Sequence, residues 1–82
     1  MYPLIDAGSA GPVLRALRKA RGMTQAELGR RLGVSKGRVS AIERDPSGVA
    51  LAQILAIVAE LGARVMLDDR RLVRESPADA EW

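Results

Sequence analysis

The chain contains no cysteine, no histidine and no phenylalanine, and its only aromatic residues are Tyr2 and Trp82. Without cysteine there is no disulfide staple and no thiolate metal site, and without histidine the usual general base and the usual zinc ligand are both missing. No nucleophile and base can be paired from what remains, so the expectation is a non-enzymatic protein with no catalytic residues, no cofactor and no metal. Apolar runs fall well short of the roughly 18 residues that a membrane span needs. The opening Met1, Tyr2, Pro3, Leu4, Ile5, Asp6 lacks the basic-then-apolar order of a secretory signal. A cytoplasmic protein with no membrane partner is expected.

What is present points to packed helices. At 82 residues the chain has room for one small domain, and its 48% hydrophobic content comes almost entirely from Leu, Ile, Val, Ala and Met. Thirteen Lys and Arg against ten Asp and Glu leave a formal charge of +3. The imbalance is concentrated between Ser9 and Gly62, where nine basic residues meet four acidic ones. A polyanionic partner is permitted by this charge but not required by it.

Composition divides the chain into an N-terminal arm over 1–9, a helical domain over 10–62, a short strand over 63–69 and a charged tail over 70–82. In the helical part, Ser9 is the expected cap of a first helix that tolerates Pro12 in its first turn, turns Val13, Leu14 and Leu17 inward and stops at Gly22. Thr24 with Glu27 forms a capping box for the second helix, whose Leu28 and Leu32 face the core before Gly33 ends it. Ser35 caps the third, with Val39 and Ile42 as a narrow inward stripe and Asp45–Pro46 as its stop. The fourth runs from about Val49 to Leu61, with Leu51, Ile54, Leu55, Val58 and Leu61 as a wide buried face.

The second and third helices are separated only by Gly33 and Val34, so the third must leave at a steep angle. That is helix-turn-helix geometry. The polar surface left on the third helix offers Ser35, Lys36, Gly37, Arg38, Ser40 and Arg44 to a DNA groove. There Lys and Arg can reach guanine O6 and N7, and Gly37 lets the backbone approach closely. Gln25, at the start of the second helix, is placed to meet a phosphate. The competing reading of Lys36, Arg38 and Arg44 is an ordinary solvated face. For Arg30 and Arg31, near the end of the second helix, a structural role beside the helix dipole competes with a phosphate contact.

The runs Arg18–Leu28 and Leu32–Ser35, followed by Val39 to Glu43, resemble the phage-repressor (Xre/Cro) helix-turn-helix family over about residues 10 to 62. The resemblance implies an all-α DNA-binding domain of four to five short helices and a structural salt bridge between Arg18 and Glu43. Two departures stand out. Gly29 occupies a place where the family usually has Ala, a cost of about 0.5 to 1 kcal/mol unless close packing offsets it. Lys36, Gly37 and Ala41 fall where related repressors often read bases, which leaves more of the specificity to backbone contacts and DNA shape.

The C-terminal third of the chain, with Arg64 to Asp68 and then Ala80, Glu81, Trp82, resembles HipB-type antitoxins. That resemblance implies a strand pairing with its twin across a dimer axis, and a tail linked to a HipA-like serine/threonine kinase toxin. A single strand of about five residues cannot satisfy its own backbone, so pairing through Val65, Met66 and Leu67 with a second copy is the economical arrangement. A homodimer also sets two recognition helices about 34 Å apart for an inverted-repeat operator in double-stranded DNA. The function so implied is repression coupled to toxin neutralisation, with Trp82 as an anchor for the toxin. A stand-alone phage-like repressor with an inert Trp82 is the alternative.

Overall fold

The computed structural model describes Tyr2 and residues 7–67. Four α-helices follow one another: α1 (Ala7–Ala20), α2 (Gln25–Leu32), α3 (Lys36–Arg44) and α4 (Leu51–Glu60), with a single 3-10 turn over Pro46–Gly48 between α3 and α4. The fold is all-α. Of the strand expected over 63–69, residues 63–67 carry no regular structure in the single chain, and 68–69 lie outside the described residues, as does the tail over 70–82.

Local chemistry accounts for most helix ends. Thr24 Oγ1 accepts from the Glu27 amide at 3.0 Å and the Thr24 amide donates to Glu27 Oε1 at 3.3 Å, closing the expected capping box on α2. These bonds to Thr24 hold the Glu27 carboxyl below the usual carboxylate range, with smaller help from the charges of Arg30 and Arg31. Ser35 Oγ accepts from the Arg38 amide at 3.0 Å and starts α3. Asp45 ends α3 and begins the 3-10 turn by accepting from the Ser47 hydroxyl at 2.6 Å and its amide at 3.2 Å, which lowers its pKa likewise. At the α2–α3 junction Gly33 adopts φ +73°, so that Val34 N–H reaches the Gly29 carbonyl at 2.9 Å and Gly33 N–H the Arg30 carbonyl at 3.3 Å. This paired arrangement needs the left-handed backbone that glycine supplies at least cost, and Gly22 and Gly62 close α1 and α4 in the same way.

The helix starts differ from expectation at α1, and α4 begins at Leu51, two residues after the expected Val49. Beginning α1 at Ala7 puts Ser9 inside the helix and moves Pro12 to the second turn, where its missing N–H would have paired with the Gly8 carbonyl. Gly8 is exposed, so water can reach that carbonyl.

The core is aliphatic throughout: Leu14, Leu17, Leu28, Val39, Ile42, Ile57, Val58 and Leu61 are buried, with Val13, Leu32 and Ile54 packed partly against them. Leu51 and Leu55 depart from the expected buried face, being 70% and 43% exposed, and Ile57 is buried in their stead. α4 is apolar nearly all round, so its own periodicity does not decide which stripe turns inward; its packing on α2 does.

Two glycines let backbones touch. A Cβ on Gly11 would fall on the Glu43 carbonyl oxygen, and one on Gly29 would stand 2.7 Å from the Val34 carbonyl oxygen. The cost of Gly29 inside α2 is therefore offset by the tight turn onto α3.

Candidate nucleic-acid interface

α3 is held from beneath by a charged network. Arg18 Nε donates to Glu43 Oε2 at 2.6 Å and Nη2 to Glu43 Oε1 at 3.0 Å, a bidentate pair with both side chains less than a tenth exposed. Arg18 Nη1 also donates to the Met23 carbonyl at 2.8 Å, which ties the α1–α2 turn into the same network. The hydrogen bond to Glu43 raises the Arg18 pKa further, so the guanidinium stays charged. Among the described residues no buried side-chain nitrogen or oxygen lacks a partner. A pair this satisfied sets the angle of α3 against α1, and Arg18 and Glu43 face the interior rather than a ligand.

Gln25, expected at a phosphate, donates from Nε2 to Glu43 Oε1 at 3.2 Å and is half-buried. Its position at the first turn of α2 is as expected; its partner was not visible in the sequence, because the two residues lie 18 apart and belong to different helices. The amide has a second N–H that this bond does not use.

The other residues singled out from the sequence come together on the solvent side of α3. Ser35, Lys36, Gly37, Arg38 and Arg44 are exposed, and Ser40 and Ala41 are half-buried. By helical spacing Gly37, Ala41 and Arg44 lie opposite the buried Val39 and Ile42, while Arg38 sits to one side. A Cβ on Gly37 would meet only Ser35 Oγ, at 3.8 Å, so nothing within the chain requires glycine there. Arg38 Nη2 donates to Gln53 Oε1 of α4 at 2.9 Å, a contact that the sequence did not signal.

The four acids between Ser9 and Gly62 are all occupied within the chain: Glu27 and Asp45 in caps, Glu43 with Arg18, and Glu60 with Arg31 at 3.5 Å. Lys36, Arg38 and Arg44 form no ion pair among the described residues, although the charge of Arg44 helps to lower the Asp45 pKa. Carboxylates hold the fold together and the cations of α3 face outward, which leaves that surface positive. Val65, Met66 and Leu67, expected at a dimer strand, are 42%, 74% and 95% exposed, and Trp82 lies outside the described residues. Among the described residues no helix is long and apolar enough to cross a membrane, and no three carboxylates cluster as a metal site.

Comparison with known proteins agrees with this geometry. The chain is 29% identical over 73 residues to an immunity repressor protein of Bacillus phage phi105, an alignment covering 87% of this chain and 51% of the repressor. It thus spans about half the length of that relative. Among solved structures, a HipB variant in complex with an O2 20mer superposes with a TM-score of 0.75 at 23% identity, covering 84% of this chain and 96% of HipB. A family model described as helix-turn-helix matches residues 14–65. The chain belongs to the helix-turn-helix family, in its Xre/Cro form, and its fold is HipB-like.

Proposed function

We propose that the chain is a DNA-binding transcriptional repressor that grips an inverted-repeat operator as a homodimer and serves as the antitoxin of a HipA-like kinase toxin. The observation that carries the DNA reading is the outward face of α3. Its cations form no ion pair among the described residues, and its Gly37 is a helix-weakening residue with no internal packing reason. A glycine of that kind suits close approach of the α3 backbone to a groove wall, with Lys36 and Arg44 beside it and Ser35, Arg38 and Ser40 along the same surface. Gln25 keeps one N–H for the phosphate role. The immunity repressor among the relatives and the complex of HipB with an O2 20mer support the same reading.

Dimerisation is favoured by apolar surface that the single chain leaves in water. Val65, Met66 and Leu67 supply a segment able to pair with its twin, and Leu51 and Leu55 add exposed side chains one turn apart on α4. The antitoxin role rests on the HipB-like fold together with the resemblance of Ala80, Glu81 and Trp82 to HipB-type antitoxins. The phage immunity repressor favours the second reading, a stand-alone regulator without a toxin.

The test is binding to duplex DNA across a salt series. If the proposal holds, log K falls by about 0.9 per phosphate neutralised for each unit of log salt; a flat dependence overturns it. A kinase retained on the tagged chain from native lysate, and lost on deleting residues 75–82, would establish the antitoxin role; its repeated absence would leave the stand-alone repressor.

A further inference from the structure

Arg38 is the one cation of α3 with a side-chain partner on α4. Gln53, third in α4, accepts from Arg38 Nη2 at 2.9 Å across 15 residues of sequence. Both side chains are near the surface and the acceptor is neutral, so the bond adds little to stability. Its main consequence is orientation. Left free, a long arginine loses rotamer freedom when it binds; held at its tip, it has lost that freedom already.

The direction in which Arg38 is held matters as much. Gly37, Ala41 and Arg44 form the part of α3 farthest from the core, and Arg38 lies on the flank facing α4. A helix seated in a major groove has base edges ahead of it and the two phosphate backbones along its flanks. A guanidinium tied to α4 stands at the flank. The fork has five N–H donors and the bond to Gln53 uses one, so a bidentate grip on a phosphate remains open.

We infer that Gln53 is a positioning residue that holds Arg38 on the α4 side of the recognition helix to clasp a backbone phosphate, not a base. The inference rests on the DNA-binding reading above and assigns Arg38 its contact class within it.

The experiment uses the full chain and a duplex that it selects from a random pool. Affinity is measured from 50 to 200 mM salt for the parent, Gln53→Met, Arg38→Ala and the double variant, on the selected duplex and on a scrambled one. Gln53→Met keeps the side-chain length and removes the acceptor. It should weaken binding about three- to tenfold with an unchanged salt slope, because the charge remains. Arg38→Ala should weaken binding to both duplexes alike and lower the slope by about 0.9 for each subunit bound. In the Arg38→Ala background Gln53→Met should have no further effect. Gln53→Glu, which keeps the hold and neutralises the charge, should match Arg38→Ala in slope and supplies a second folded variant. Equal losses from Gln53→Met in both backgrounds would overturn the inference, as would an Arg38→Ala variant that loses discrimination at the parent slope. A parent chain that selects no duplex and binds without salt dependence would instead overturn the DNA-binding reading, and this inference with it.

Discussion

α3 and α4 are nearly equal in length, at nine and ten residues, yet they present opposite chemistry to solvent. α3 buries Val39 and Ile42 and exposes Lys36, Gly37, Arg38 and Arg44; α4 buries Ile57 and Val58 and exposes Leu51 and Leu55. Water solvates the first surface readily, so its positive charge and its glycine point to a polyanion rather than to a stability defect. The second is apolar surface left in water, which a second copy would cover. The two surfaces belong to the same proposal, because a dimer is what turns one short recognition helix into a reader of two half-sites.

The largest expected effect comes from releasing α3 from its seat. Arg18→Ala or Glu43→Ala leaves an uncompensated buried charge and should cost about 3–5 kcal/mol in urea unfolding. A loss under about 1 kcal/mol would show that the pair does not anchor α3. Next comes the same substitution at two glycines. Gly29→Ala drives a methyl toward the Val34 carbonyl and should destabilise by about 1–3 kcal/mol. Gly37→Ala meets open space, should stabilise by about 0.5–1 kcal/mol, and should weaken DNA binding. Stability changes of the same sign at both would erase the distinction between a glycine kept for packing and one kept for an external surface.

Leu55→Asp tests α4. It should leave the thermal midpoint of the isolated subunit nearly unchanged while shifting sedimentation from dimer to monomer; a persistent dimer would remove α4 from the interface. The smallest effect concerns pH. The Glu27 and Asp45 carboxyls titrate below their ordinary values in the folded chain because they accept cap hydrogen bonds. The stability they contribute is therefore present above the ordinary carboxylate range and is lost as pH falls through the lowered folded values. Urea midpoints measured down the acid limb should fall less steeply in a Glu27→Gln, Asp45→Asn double variant; parallel curves would refute the assignment.

Features set by neighbours in sequence were legible from the sequence. The Thr24–Glu27 box, the Ser35 cap and the Gly33 turn each involve residues no more than a few positions apart, and a backbone hydrogen bond over that span is dictated by local spacing. The Arg18–Glu43 pair came from family resemblance, since 25 residues separate its members. The start of α1 at Ala7 escaped the capping rule, which favoured Ser9 because it has an oxygen to offer.

Sequence by itself determined the four helices, the break that makes two of them a helix-turn-helix, and the excess of cations over Ser9 to Gly62. Only the tertiary structure decided that Gln25 serves Glu43, that Gln53 holds Arg38, that Gly29 is a contact point rather than a weakness, and that Leu51 and Leu55 stay outside the core. The reason is the same in each case. Periodicity states which residues share a face of a helix, but which face meets which neighbour is settled by how the helices cross, and that crossing depends on contacts between residues far apart in the chain.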